Sequence, residues 1–306
     1  MKACFVIPYF GKFPNYFDYF LSSAMHNKDY DFLFVTDIDY PFPAATNIKV
    51  VKMTFKEVQA KAKELFDFDS CLSEPYKLCD YKPAYGVLFE EYLKDYDYWG
   101  HCDIDTVLGD LNKFIPQDDK YLRIFCEGHM SLYKNCEEVN NWFRTLSHSE
   151  CQSYKDVYST DDIRCFDEWG AHKGNGISYI IQKNGINQYE DSKCFDVNSL
   201  KYKFVNAKDR SMQNGYFEYV DGKVLFWKYE NGIYKDYEVS YVHFQKRKMK
   251  IEGSNTDHFY VVQPNVIKDE IHLDKPLNRM YSIQWGIYDQ EIKRKFRNIK
   301  NRLKKL

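Results

Sequence analysis

Asp103 and Asp105 close an apolar, aromatic run, Tyr98-Trp99-Gly100-His101-Cys102, in an Asp-x-Asp spacing. Residues i and i+2 of an extended segment project to the same side. The pair is therefore expected to share one hard divalent cation, Mn2+ or Mg2+. Such a cation takes oxygen ligands and completes its shell with water and phosphate oxygens. That chemistry binds a nucleoside diphosphate and helps it depart. Asp-x-Asp on its own arises in any acidic loop, so the reading turns on what surrounds it.

Positioning such a pair calls for a strand that ends at Asp103, and the first half of the chain reads as alternating strands and helices. Residues 2–7 form a buried-type strand stopping at Pro8, and residues 16–26 a helix with Phe17, Phe20 and Leu21 on one face. Residues 31–36 make a second strand ending at Asp37, and residues 48–53 a third. Thr54 is placed to cap a helix reaching about Leu65. Pro83 suits the first turn of another helix running through Val87, Leu88, Tyr92 and Leu93. The strand into Asp103 follows, and then one over residues 121–126. This alternation predicts an α/β layer structure with a mostly parallel sheet, in which ligands bind beyond the carboxyl ends of strands. Further on, Asp221-Gly222 and Asn231-Gly232 predict tight hairpin turns in an antiparallel meander over residues 216–244. A short strand at residues 259–262 ends before Pro264. The expected organisation is one domain over residues 1–250 and a C-terminal extension over residues 251–306.

Composition narrows the class. With 18% aromatic residues, including 27 Tyr and 23 Phe, the chain is not of disordered type. A net charge of -2 argues against a nucleic-acid partner. Nine cysteines, scattered and with no Cys-x-x-Cys pair, read as reduced thiols. The apolar run over residues 3–7 is too short for a secretory leader, and no stretch approaches the roughly 20 apolar residues of a membrane span. The expected location is cytoplasmic. Residues 291–306 carry eight Lys or Arg and one acid, with Ile292, Phe296, Ile299 and Leu303 at helical spacing. Such a basic amphipathic segment either lies on an anionic membrane surface or docks by its apolar stripe.

Several motifs then form a set. Pro8-Tyr9-Phe10 follows strand 1, Thr36-Asp37 follows strand 2, and Lys82-Pro83-Ala84-Tyr85-Gly86 precedes the Asp103 strand. Gly128-His129-Met130-Ser131-Leu132-Tyr133, Phe166-Asp167-Glu168-Trp169-Gly170 and Tyr241-Val242-His243-Phe244-Gln245-Lys246-Arg247-Lys248 come after it. In this order, across about residues 1–250, they resemble bacterial GT-A-type glycosyltransferases of polysaccharide and lipopolysaccharide synthesis. The resemblance implies a Rossmann-like GT-A fold and transfer of a hexose, galactose in pyranose or furanose form among the candidates. The donor would be a UDP-sugar and the acceptor a glycan or lipid-linked glycan. It also implies that Asp105 ligates the metal directly, that Asp103 meets metal or donor ribose through water, and that His243 is a third ligand.

The remaining residues are read beside that resemblance. Lys246 and Lys248 suit the donor diphosphate, as basic side chains do. Pro8 and Tyr9 are candidates for the base pocket, and Asp37 either accepts from a uracil N–H or ends a turn. Lys77, Asp80 and Lys82 either contact donor phosphates and sugar hydroxyls or form a surface salt-bridge cluster. Asp167 and Glu168 are candidate bases for removing the acceptor hydroxyl proton in an inverting transfer. If the transfer is retaining, both bind acceptor instead. His129 is a candidate acceptor contact. Two other readings stand beside this one: a nucleotidyltransferase that makes the sugar nucleotide, and a non-catalytic carbohydrate-binding protein. The first normally needs a Gly-rich basic loop after strand 1, where only Gly11 and Lys12 occur.

Overall fold

Strand β1 (Ala3–Pro8) is buried along almost its whole length, and β2 (Tyr30–Thr36) and β3 (Ile48–Lys52) extend the sheet from it in parallel. Helix α1 (Phe17–His26) connects the first two. Helix α2 (Phe55–Leu65) starts with a capping box: Thr54 Oγ1 accepts from the Glu57 N–H, and the Glu57 carboxylate accepts from the Thr54 N–H. A computed structural model describes residues 1–171, 174–197, 203–245, 248–263 and 265–272. Lys246, Arg247, Pro264 and the basic tail at residues 291–306 lie outside the described residues.

The single helix expected around Pro83 is a chain of short pieces. Helices α3 (Leu78–Tyr81) and α4 (Tyr85–Leu88) alternate with 3-10 turns at Pro75–Lys77, Lys82–Ala84 and Glu90–Tyr92. Pro83 brings no N–H to an α-helical ladder, so the chain tightens there. Gly86 lets α4 lie directly on strand β4 (Tyr98–Cys102), since a Cβ at 86 would stand 2.4 Å from Trp99 Cε2. Trp99 is fully buried and its Nε1–H donates to Asn140 at 2.6 Å, so the ring has nowhere to go. Gly86→Ala should therefore destabilise the protein by about 1–3 kcal/mol through overpacking, seen as a lower urea midpoint with unchanged slope.

After Asp105 the chain enters β5 (Thr106–Leu108), then β6 (Arg123–Glu127) and β7 (Met130–Lys134). Only Gly128 and His129 separate the last two, too few for the crossover a parallel pair requires, so β6 and β7 form an antiparallel hairpin. Helices α5 (Glu137–Asn140), α6 (Trp142–Thr145) and α7 (Tyr154–Tyr158), the two-residue strands β8 (Gly170–Ala171) and β9 (Gly174–Asn175), helix α8 (Ile177–Lys183) and β10 (Gln188–Tyr189) follow. The resulting seven-stranded sheet has the order β10-β6-β7-β4-β1-β2-β3. It is mixed α/β architecture with a partly parallel sheet, because β7 runs antiparallel to both neighbours. An apolar core including Val6, Val35, Leu88, Trp99, Tyr133, Trp142, Tyr158 and Phe166 packs on it.

Contacts divide the chain into two units. The first is Met1–Thr106 with Asp110–Asp191; the second is Val107–Gly109 with the residues from Ser192 onward. In the second unit, β11 (Cys194–Val197), β12 (Phe204–Asn206) and β13 (Met212–Gln213) are followed by the hairpin strands β14 (Tyr216–Val220), β15 (Lys223–Glu230) and β16 (Ile233–Val239). Both predicted turns are present, with positive φ at Asp221 (48°), Gly222 (77°), Asn231 (52°) and Gly232 (89°), as tight hairpins demand. The meander ends earlier than expected. Strand β17 (Tyr241–His243) leaves it to run parallel to β11 in a five-stranded sheet, β13-β12-β11-β17-β5. Strands β18 (Lys250–Glu252), β19 (His258–Val262) and β20 (Val266–Lys268) complete a six-stranded sheet, β16-β15-β14-β19-β20-β18. The boundary expected at residue 250 thus falls within a sheet, where Lys250 pairs with Val266. Among the described residues no helix is long and apolar enough to cross a membrane.

Candidate active site

In the first unit, one lysine gathers three distant pieces of the chain. Lys82 is 7% exposed. Its Nζ donates to Gly128 O at 2.6 Å and pairs with Asp103 Oδ1 at 2.7 Å and Asp167 Oδ2 at 3.0 Å. An ammonium has three donors, so these acceptors saturate it. Burial opposes the charge, but Asp103 and Asp167 outweigh it and hold Lys82 well above its ordinary range.

Each partner is placed by local structure. Asp103 follows β4, its N–H donating to His129 O at 2.8 Å, which ties the Asp-x-Asp segment to the β6–β7 hairpin. Asp103-Ile104-Asp105 is a turn rather than the extended segment expected, closed by the Thr106 hydroxyl donating to Asp103 O at 2.8 Å. The strand-alternation argument for a shared side therefore does not apply. The turn nevertheless brings carboxylate oxygens of Asp103 and Asp105 within 4.8 Å of one another. Two oxygens on one Mg2+, Mn2+ or Ca2+ at about 2.0–2.6 Å stand no more than about 5 Å apart. The pair, with Asp105 itself 7% exposed, fits a hard cation by both spacing and donor type.

Asp167 and Glu168 sit on a loop pressed against the hairpin by two glycines. A Cβ at Gly128 would lie 2.9 Å from Asp167 Oδ2, and one at Gly176 2.3 Å from Glu168 O. Burial lifts the Asp167 carboxyl to about 7; Lys82 pulls against the rise, while Glu168 and Asp103 add to it. Burial also raises Glu168, again against Lys82, with Glu127 adding to the effect. Trp169 Nε1–H reaches Glu127 Oε1 at 3.4 Å on the same side.

Tyr9 continues from Pro8, its N–H donating to Val35 O at 3.0 Å, and its half-buried ring stacks on Phe13 at 5.2 Å. Burial raises the Tyr9 hydroxyl, with Asp105 and then Asp103 contributing, so Tyr9 stands within the field of the acid pair. Asp37 is exposed beyond β2, outside the Lys82 cluster. His129 is buried at the hairpin tip.

Lys77 and Asp80 do not take the donor-contact place considered for them. Both are 0% exposed. Lys77 Nζ binds Asp80 Oδ2 at 2.8 Å and the carbonyls of Val157 and Asp162 at 2.9 and 2.7 Å. Asp80 accepts from the Arg164 and Phe166 N–H groups, each at 2.9 Å. With their polar atoms engaged inside the protein, the two fasten the loop that carries Asp167. The sequence signal was present, since Lys and Asp three residues apart on a helical segment face one another.

The second unit holds His243 at the end of β17. It is 8% exposed, and its Nδ1 lies 3.0 Å from Asp196 Oδ1. Lys248 is exposed.

A family model covers residues 5–270 of the chain. The chain belongs to DUF6625, a family of unknown function. No curated protein matches it. Within this DUF6625 chain the matched span contains Lys82, Asp103, Asp105, Asp167, Glu168 and His243, whereas the basic tail at residues 291–306 lies beyond it. Two features of this chain went unread in the sequence: the Gly128 carbonyl, a backbone group carrying no residue-type signal, and Asp196, an ordinary strand aspartate until its neighbour is known.

Proposed function

We propose that this DUF6625 chain is a metal-dependent, GT-A-type glycosyltransferase that moves a hexose from a UDP-sugar to a glycan acceptor with inversion. The observation that carries the reading is the convergence on Lys82 of the Asp-x-Asp motif, the hairpin at Gly128 and the Asp167-Glu168 loop. One ammonium thereby joins Asp103 of that motif to the raised carboxyl of Asp167.

Asp103 and Asp105 would hold Mn2+ or Mg2+. His243 is proposed separately as a metal ligand, an imidazole suiting such an ion. When bound, the ion would neutralise charge on the departing UDP. Tyr9 and Pro8 would line the base pocket. Asp167 is the proposed base: its carboxyl near 7 is matched to accept a hydroxyl proton at neutral pH. Lys82 would keep that carboxylate oriented. Glu168, beside it, would bind the acceptor, and the basic sequence of residues 291–306 would favour an acceptor presented at an anionic membrane.

The test is release of UDP from a panel of UDP-sugars with and without Mn2+. Turnover should require the ion and vanish with EDTA, and Asp105→Asn should lose it even with ion present. Absence of both UDP binding and turnover, with active control enzymes, would count against the proposal. Formation of a sugar nucleotide from a sugar phosphate and a nucleoside triphosphate would replace it.

A further inference from the structure

His243 and Asp196 are directly paired residues of the parallel strands β17 and β11, so their side chains leave the sheet on one face. Asp196 is 2% exposed. Its two oxygens have different partners: Oδ1 faces His243 Nδ1 at 3.0 Å, and Oδ2 accepts from Arg210 Nη1 at 3.2 Å. Arg210 is itself held by a tight turn after β12, with positive φ (59°) and its N–H donating to Asn206 O at 3.0 Å. The Asn206 side-chain oxygen accepts from the Lys208 and Asp209 N–H groups at 3.0 and 3.1 Å, which fixes the turn.

We propose that Asp196 is a positioning residue that fixes His243 in the Nδ1–H tautomer, so that Nε2 is the nitrogen presented to a divalent cation. A carboxylate paired with a guanidinium can only accept, so the proton between Asp196 and His243 belongs to Nδ1. The same carboxylate fixes the ring plane. A carboxylate behind a metal-binding histidine commonly has this role, and its loss costs roughly 10–100-fold in metal affinity. The assignment of Nε2 to a cation rests on the reading of His243 as a ligand; the tautomer does not.

An asparagine at 196 makes a sharp test because Arg210 has donors only. It claims the amide oxygen, the amide NH2 turns toward His243, and Nδ1 must become the acceptor. The experiment is long-range proton–nitrogen correlation NMR on the 15N-labelled full chain at pH 8 without metal, followed by Mn2+ titration. Wild type should show Nδ1 protonated and Nε2 bare. Asp196→Asn should invert that pattern and weaken Mn2+ binding about 10–100-fold, while Asp196→Glu restores part of both. An Nε2–H tautomer in wild type overturns the proposal without recourse to any variant. Inversion in Asp196→Asn with unchanged Mn2+ affinity also overturns it. His243→Ala separates the causes: if it too leaves Mn2+ affinity unchanged, the ligand reading of His243 has failed, and if it weakens binding, only the role of Asp196 has.

Discussion

Lys82→Met should destabilise the protein by about 3–5 kcal/mol and lower turnover about 10²–10³-fold even where the variant is fully folded. Methionine matches the length of the lysine stem but donates nothing. Asp103 and Asp167 would lose their shared cation, and the Gly128 carbonyl its 2.6 Å donor. Breaking a buried pair from one side costs more than the pair contributes, because the partners stay buried without compensation. Urea unfolding reads the first effect, and UDP release well below the variant's melting temperature reads the second. A variant as stable and as active as wild type would remove Lys82 from the centre of the site.

The second large effect concerns pH. Asp167 can accept a proton only when ionised, and its carboxyl is raised to about 7 by burial, with Glu168 and Asp103 adding and Lys82 opposing. In wild type kcat should therefore rise from acid through about pH 7 and level above it. Asp167→Asn should lower kcat about 10²–10⁴-fold and flatten that limb, with binding of UDP and Mn2+ retained. Glu168→Gln should keep the limb but move it to lower pH, since the Glu168 charge no longer raises Asp167. If the limb persists in Asp167→Asn and disappears in Glu168→Gln, the base is Glu168.

Much of the first unit was legible because its signals are local. The apolar runs of β1 and β2 and the Thr54 capping box each announce one element within a few residues. The hairpin of β6 and β7 was missed because Gly128-His129 is not one of the dipeptides that mark such turns, and without it the sheet reads as mostly parallel. The site shows the same division. Asp103, Asp105 and Asp167 are visible as chemical types. What sequence could not supply is which charges meet. Lys77, Asp80 and Lys82 lie within six residues and look alike, yet Lys82 faces the acid pair, while Lys77 and Asp80 are fully buried against the loop of residues 157–166. Only the pieces of helix around Pro83 decide which side chain turns which way.

The Lys77–Asp80 pair has a consequence for how such a protein can diverge. It clamps carbonyls at 157 and 162 and amides at 164 and 166, so the backbone beneath Asp167 is set by groups whose identity hardly depends on the intervening side chains. Residues 159–161 lie between the anchored carbonyls of 157 and 162 and mostly face solvent. Substitutions there can remodel that exposed stretch without moving Asp167 and Glu168. In a lineage of such proteins, novelty would accumulate on that exposed stretch while Asp167 and Glu168 kept their address.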